Sequence, residues 1–297
     1  MTSPPLVIFS YNRLSQLKKT IASLKKCNNS KNRNWYFFCD GPKNSEDIIA
    51  CKKIRDYLNS IQENNYFLYF NSSNIGLAKS IISGVTKVLN EYSEAIIIED
   101  DLEFSNNFLD YMDSALKFYN DEKNILSICG YSPKTNIKTD CDIFFGVRSS
   151  SWGWATWSDR WKNIDWKISD YKEFNSNYQM KKKFKRGGSD MVKMLNDQMN
   201  GKIDSWAIRF CYHQFKYEMA CVFPVKSKVI NNGFNLNATH TKTYYNPNKN
   251  YSNSEAHKFK FRKFKNFNEN HLKSFRKNYS LTSRLFNKLQ SLLKTPL

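Results

Sequence analysis

The chain has 297 residues, 15% of them aromatic, enough to bury a substantial core and to exclude a disordered protein despite its polar average. Its formal net charge is +19, with eleven Lys and Arg against two Glu from Glu255 onward, which suits a polyanionic partner such as nucleic acid, an anionic membrane, or phosphorylated lipid and sugar-nucleotide substrates. Seven cysteines without a C-x-x-C pair argue against a disulfide framework or a zinc site. No apolar run is long enough for a signal peptide's core or a membrane span, so a cytoplasmic protein is expected.

In chain order, Leu6–Tyr11 reads as a strand, Leu14–Cys27 as a helix, Trp35–Cys39 as a strand and Asp47–Ile61 as a helix. Tyr66–Phe70 reads as extended, Ala78–Leu89 as helical, Ala95–Ile98 as extended, Phe108–Tyr119 as helical and Ile125–Ile128 as extended. Such alternation predicts βαβ units and an α/β fold with a mostly parallel sheet flanked by helices. Beyond Cys141 the rhythm breaks into aromatic and polar segments. The expected organisation is one domain over residues 1–250, with halves 1–130 and 131–250, and a basic amphipathic tail over 251–297. In that tail Leu281, Leu285, Phe286, Leu289, Leu292 and Leu293 share one helical face. Such a helix either lies on an anionic bilayer or caps its own domain, and both readings stay open.

The stretch Ala95-Ile96-Ile97-Ile98-Glu99-Asp100-Asp101-Leu102 ends an apolar strand in three consecutive carboxylates. Adjacent acids repel, and at a buried strand end they call for a positive partner. A divalent cation carrying a diphosphate meets that need, since Mg²⁺ or Mn²⁺ binds through one or two carboxylates plus phosphate and water. The alternative is a solvated acidic turn. Three further segments follow strands on the same sheet edge. Ser10-Tyr11-Asn12-Arg13 could seat a nucleotide, with Arg13 near phosphate, or simply start a helix with Asn12 as its cap. Asp40-Gly41-Pro42 offers a carboxylate to a base, or a turn. Asn74-Ile75-Gly76-Leu77-Ala78-Lys79 opens a helix whose N-terminus favours phosphate, with Lys79 as a further cation.

In order and spacing these segments resemble glycosyltransferases of the GT-A fold, in the broad family 2-like group. The matching segments are Val7–Arg13, Asp40-Gly41, Asn74-x-Gly76-Leu77 and the acidic triplet in place of a D-x-D motif. The triplet is similar to that of relatives of N-acetylglucosaminyltransferase I, whose signature is also Glu-Asp-Asp. Downstream, Ser151-Trp152-Gly153-Trp154-Ala155-Thr156-Trp157 with Asp159-Arg160-Trp161 resembles bacterial surface-polysaccharide transferases. Asp204-Ser205-Trp206-Ala207-Ile208-Arg209 and Asn232-Gly233-Phe234 with Thr239-His240 do so too.

The resemblance implies a metal-dependent, inverting transfer of a sugar from a nucleoside-diphosphate sugar, with UDP first, to a saccharide acceptor. The acceptor would be lipid-linked, at the inner face of the cytoplasmic membrane, in O-antigen, capsule or lipooligosaccharide synthesis. It makes Asp101 the metal ligand, with His240 completing the metal shell or binding the diphosphate. Glu99 and Asp100 would hold the donor sugar or the metal's waters. Asp204 becomes the catalytic base, although Ile203 and Ser205 depart from the W-D-D-W pattern. Trp206 would stack on a sugar; Trp152, Trp154, Trp157 and Trp161 are as a type more often core than site, yet Trp152-Gly153-Trp154 fits a wall on the acceptor side. No specific nucleic acid is expected as a partner. Three rivals stand beside this reading, one of them a degenerate transferase that binds the donor without turnover, which intact Asp101 and Asp204 disfavour. Against a nucleotidyltransferase, the chain lacks a Gly-rich loop with basic residues immediately after the first strand. A nucleic-acid-binding protein would use Lys181–Arg186 or Lys258–Lys265, with Phe259, Phe261 and Phe264 stacking on bases, and leaves the triplet unexplained.

Overall fold

The computed structural model describes residues 3–233, 247–253, 258–283 and 285. The first part of the chain alternates β1 (Leu6–Ser10), α1 (Leu14–Lys26), β2 (Trp35–Cys39), α2 (Ser45–Asn59), β3 (Tyr66–Phe70), α3 (Leu77–Leu89), β4 (Glu94–Glu99), β5 (Leu102–Phe104), α4 (Phe108–Tyr119) and β6 (Ile125–Cys129). The second part holds β7 (Ile143–Gly146), β8 (Trp154–Trp157), α5 (Ser158–Trp161), α6 (Tyr171–Ser176), α7 (Tyr178–Phe184), α8 (Met191–Met199), α9 (Trp206–Lys216), β9 (Ala220–Pro224), β10 (Val229–Asn231) and α10 (Glu269–Lys277).

Eight strands form one sheet in the order β3-β2-β1-β4-β8-β6-β9-β7, while β5 and β10 make a separate antiparallel pair. Strands β1 to β4 are parallel. β8 is inserted antiparallel between β4 and β6, β9 lies parallel to β6, and β7 closes the edge antiparallel to β9. The fold is thus α/β, with a large, mostly parallel sheet flanked by helices. Its order runs outward from β1 to β3 and resumes at β4 on the other side of β1. The carboxyl ends of β1 and β4 therefore form the switch point at which open α/β sheets bind ligands.

Strand periodicity explains the core. Leu6 and Ile8 of β1, with Ile96 and Ile98 of β4, face α1, α2 and α4, whereas Val7, Phe9, Ala95 and Ile97 face α3 and α9. Both faces are covered, so Ala95–Ile98 reads as an unbroken apolar run and is wholly buried. Each such isoleucine contributes about 1.5–3 kcal/mol by its removal from water. A satellite core built from Phe174, Phe184, Met191, Leu195 and Tyr212 joins α6, α7 and α8 to α9.

Residues 258–280 do not stand apart from this body. Phe259 is buried, and Phe261, Phe264 and Phe267 pack on the same core as β1 and β4. The Lys260 N–H donates to Asp142 Oδ2 at 2.8 Å, and the Asp142 N–H donates to Lys260 O at 3.0 Å. Leu272 and Phe275 of α10 are buried, Phe275 lying 5.0 Å from the Phe223 ring. Phe259 is turned inward and Phe261 and Phe264 are half-buried on the core, which leaves the Lys258–Lys265 stripe little ring surface for stacking on bases. The residues from 286 to the C-terminus lie outside the described ones. At the near end of that helical pattern, Leu281 and Leu285 are exposed. No helix among the described residues is long and apolar enough to cross a membrane.

Candidate active site

β4 ends at Glu99, and Asp100 and Asp101 turn the chain into β5 at the switch point. This acid turn is held from α1. Thr20 Oγ1 lies 2.8 Å from the carbonyl oxygens of both Asp100 and Leu102, sharing its proton between them. Arg13, at the N-terminal boundary of α1, sends one guanidinium nitrogen to Asp100 Oδ1 and the other to Asp101 Oδ2, the latter at 2.9 Å. Burial lowers the basicity of Arg13, but Asp100 and Asp101 outweigh it and hold the guanidinium firmly charged.

Asp100 and Asp101 are 3% and 8% exposed, yet each keeps one carboxylate oxygen, Asp100 Oδ2 and Asp101 Oδ1, buried with no hydrogen-bond partner among the described residues. Burial pushes the Asp100 carboxyl up to about 6 against the pull of Arg13. Burial, then the Asp101 and Asp100 charges, push Glu99 up to about 8. Crowded acids with orphaned oxygens are what a hard cation relieves, and these donors suit Mg²⁺ or Mn²⁺. No group of three or more His, Cys, Asp or Glu side chains among the described residues is arranged to hold a metal. An ion here would take one or two protein oxygens and draw the rest from phosphate and water.

The other donor-side residues are engaged differently from expectation. The buried Asp40 carboxylate accepts from the backbone N–H groups of Gly41, Ile75 and Gly76 and from Asn71 Nδ2, at 3.0–3.2 Å. It thereby ties the β2 turn to the loop before α3, where Gly76 adopts φ 85° and Asn74 donates to Gly41 O. Asn12 does not cap α1; it donates to Asp47 Oδ1 of α2, beside a Tyr11 hydroxyl bonded to Asp47 Oδ2. Ser10 Oγ donates to Cys39 Sγ at 3.1 Å. Arg13 is committed to the aspartates rather than left free for phosphate.

Asp204 precedes α9, whose first turn is capped by Ser205 Oγ accepting from the Ile208 N–H at 3.3 Å. A Cβ on Gly76 would meet Asp204 Oδ2 at 3.3 Å, so Asp204 stands at the loop of Asn74 and Gly76. Its carboxylate is more than half exposed and 3.3 Å from Arg209. Together with Lys79, Ser83, Lys87 and Asn90 it lines an open groove of ≈ 680 Å³ along α3. Among the described residues no hydrogen bond or ion pair joins Asp204 to the acid turn. Lys79 belongs to this groove.

Two of the expected acceptor-side tryptophans are core residues. Trp154 is fully buried in β8, and Trp206 is 3% exposed and stacked on it at 4.9 Å, so neither ring can meet a sugar. Gly153 is also accounted for internally, since a Cβ there would press on Phe104 and Val229 at 3.1 Å. Trp152 differs: half-buried and edge-on to Tyr131 at 4.3 Å, it lines a cleft of ≈ 350 Å³ with Ser149, Ser150, Ser151, Arg148 and Tyr279. Ser151 lies near enough to Glu99 to lower its carboxyl, which brings this cleft up to the acid turn.

A last segment bears directly on the triplet. The Asn232 N–H donates to Asp101 O at 2.9 Å, Asn232 Nδ2 donates to Glu103 Oε1, and Gly233 lies against the Asp101 carboxylate. His240, seven positions on, lies outside the described residues. The sequence reading missed Thr20 and Ser151. Thr20 had a signal, as a polar residue on the apolar face of α1 between Leu17, Ile21 and Leu24; Ser151 had none beyond its place in the tryptophan segment.

No protein-family model and no curated protein matches this chain. Its structure is similar to Staphylococcus aureus TarS residues 1–349, at 12% identity and TM-score 0.43 over 78% of this chain and 60% of that one. It is also similar to GalNAc-T7 with UDP, GalNAc and Mn²⁺, at 13% identity and TM-score 0.49 over 77% of this chain and 44% of that one. A third similar structure is the mannosyltransferase PcManGT from Pyrobaculum calidifontis with GDP-Man and Mn²⁺, at 10% identity and TM-score 0.35 over 52% and 45%. The chain thus spans 60% or less of the length of each of these solved chains.

Proposed function

We propose that the chain is a metal-dependent, inverting glycosyltransferase that moves a sugar from a nucleoside-diphosphate sugar, UDP-linked first, to a saccharide acceptor. The observation that carries this reading is the pair of buried oxygens, Asp100 Oδ2 and Asp101 Oδ1, unpartnered among the described residues, at the β1/β4 switch point. Asp101 and Asp100 would hold Mn²⁺ or Mg²⁺, which when bound supplies Lewis-acid neutralisation of the leaving diphosphate. Glu99, with Ser151 beside it, would orient the donor sugar facing the Trp152 cleft. Asp204 is the candidate base: it takes the proton of the acceptor hydroxyl as that oxygen bonds to the anomeric carbon. The bond to the diphosphate breaks with its electron pair leaving on the diphosphate, so no protonating acid is required.

The acceptor side belongs to the cleft of Trp152, Tyr131 and the three serines, whose aromatic faces and hydroxyls suit a saccharide. A lipid-linked acceptor in surface-polysaccharide synthesis follows from the sequence resemblance. Exposed Lys182, Lys183, Lys185, Lys263 and Lys265, with Leu281 and Leu285, favour salt-sensitive contact with an anionic inner membrane face. Co-sedimentation with anionic liposomes at low salt, lost at high salt, is the expected result; no sedimentation at low salt removes the membrane part.

The decisive test is calorimetric binding of a panel of nucleotide sugars, with Mn²⁺ or with chelator, to wild type and Asp101→Ala. Mn²⁺-dependent binding of one donor, lost in the variant, is expected. Absence of binding by any donor overturns the reading.

A further inference from the structure

We propose that Arg13 is the built-in counter-ion of the acid turn, holding Asp100 and Asp101 until a cation and a diphosphate arrive together, and then passing to the diphosphate. The inference rests on the metal-dependent reading above and adds a role for a residue of this chain.

Three carboxylates share one turn, and among the described residues Arg13 is the cation paired with two of them, Asp100 and Asp101. Its fork takes Asp100 Oδ1 and Asp101 Oδ2, leaving the opposite oxygen of each carboxylate buried and, among the described residues, unpartnered. An ion drawn to those free oxygens would share both carboxylates with the guanidinium. Two cations at that range, with little water between them, repel strongly. One partner must yield.

The structure indicates which one. The acid turn is fixed from both sides, by Thr20 on its backbone and by Asn232 and Gly233 against Asp101. Arg13 sits at the helix boundary with no capping bond from its side chain, and that side chain is 26% exposed. It can swing outward while the aspartates stay. A planar fork that bridges two carboxylates also matches two phosphate oxygens, so the displaced guanidinium has a new partner only when a diphosphate is present. Metal alone must displace Arg13 without compensation and binds weakly; metal and diphosphate then reinforce each other, and the coupling is reciprocal.

Mn²⁺ binding, read from the unbound Mn²⁺ signal in paramagnetic resonance, tests this with no turnover. Wild type, Arg13→Gln and Arg13→Lys are titrated with Mn²⁺ alone and with Mn²⁺ plus UDP or GDP. Arg13→Gln is expected to bind Mn²⁺ alone about tenfold more tightly than wild type and to lose most of the enhancement by diphosphate. Arg13→Lys keeps the charge without the fork and is expected to gain about threefold, which preserves the test if the glutamine variant does not fold. A merely structural role would weaken the site, so tightening is diagnostic. The proposal is overturned if Mn²⁺ with diphosphate binds wild type but neither variant binds Mn²⁺ alone more tightly. If Mn²⁺ fails to bind wild type even with either diphosphate, the metal-dependent reading itself falls, a distinguishable result.

Discussion

Gly233 packs directly on the Asp101 carboxylate: a Cβ added there would collide with Oδ2, and Asn231 Oδ1 lies close on the other side. The loop after β10 therefore sets the position of the acid turn. Gly233→Ala must push Asp101 aside, at a cost of about 1–3 kcal/mol in stability. Mn²⁺-dependent nucleotide binding should fall about tenfold, more than the change in fold would suggest. Calorimetry and thermal unfolding of the same preparation check both effects, and unchanged binding would detach Asp101 from the ligand site.

Glu99 makes a pH prediction. Its carboxyl lies up to about 8 in the folded chain against 4.5 as the unperturbed reference, first through burial and then through Asp101 and Asp100. A raised folded value means that the stabilising contribution is complete below 4.5 and lost as pH rises through about 8. The metal-free protein should lose stability across that window, and Glu99→Gln should flatten the dependence by holding the site neutral. Urea unfolding at several pH values with chelator is the measurement. Parallel curves for variant and wild type would show that Glu99 is not the titrating group.

Asp40 accepts backbone hydrogen bonds from three residues, so its removal is a structural lesion rather than the loss of a base contact. Asp40→Ala leaves the Ile75 N–H without its acceptor and the Gly76 N–H with Asn74 Oδ1 alone, and should cost about 3 kcal/mol. Asp40→Asn should rescue little, because an amide replaces one acceptor oxygen with a donor. A stable variant with altered nucleotide preference would restore the base-binding role.

Trp206 tests the acceptor side. Buried against Trp154, it should behave as a core residue: Trp206→Ala is expected to lose about 3–5 kcal/mol. Trp206→Phe should keep its acceptor KM, whereas Trp152→Ala should raise it. A raised KM in Trp206→Phe with unchanged stability would contradict the packing.

The first half of the fold was legible because its inner strands are buried on both faces, its edge strand β3 is an unbroken aromatic run, and its helices carry one apolar stripe. Trp35–Cys39, Tyr66–Phe70 and Phe108–Tyr119 appear with the bounds expected. The second half was not, since local pattern cannot reveal that β8, late in the chain, inserts antiparallel between β4 and β6. Its tryptophans looked like a ligand wall, but a central strand with both faces covered needs such bulk. The alternation Lys258-Phe259-Lys260-Phe261-Arg262 did carry a signal, that of an extended segment with one face packed and one wet. The acid triplet was legible for a physical reason: few folds tolerate three such charges at a buried strand end. Its counter-ion, Arg13, is 87 and 88 residues away from the aspartates it pairs, a relation no local pattern displays.

The segment fastened along β7 has a further consequence. β7 ends the sheet's order and would otherwise present a bare row of backbone donors and acceptors to solvent. Lys260 occupies part of that row through Asp142, and Phe264 and Phe275 shield the strand's Phe145 and Phe144 rings. The same stretch that supplies so much positive charge is thus a guard against self-association, and chains shortened ahead of residue 258 would be expected to pair edge to edge and precipitate even with the acid turn untouched.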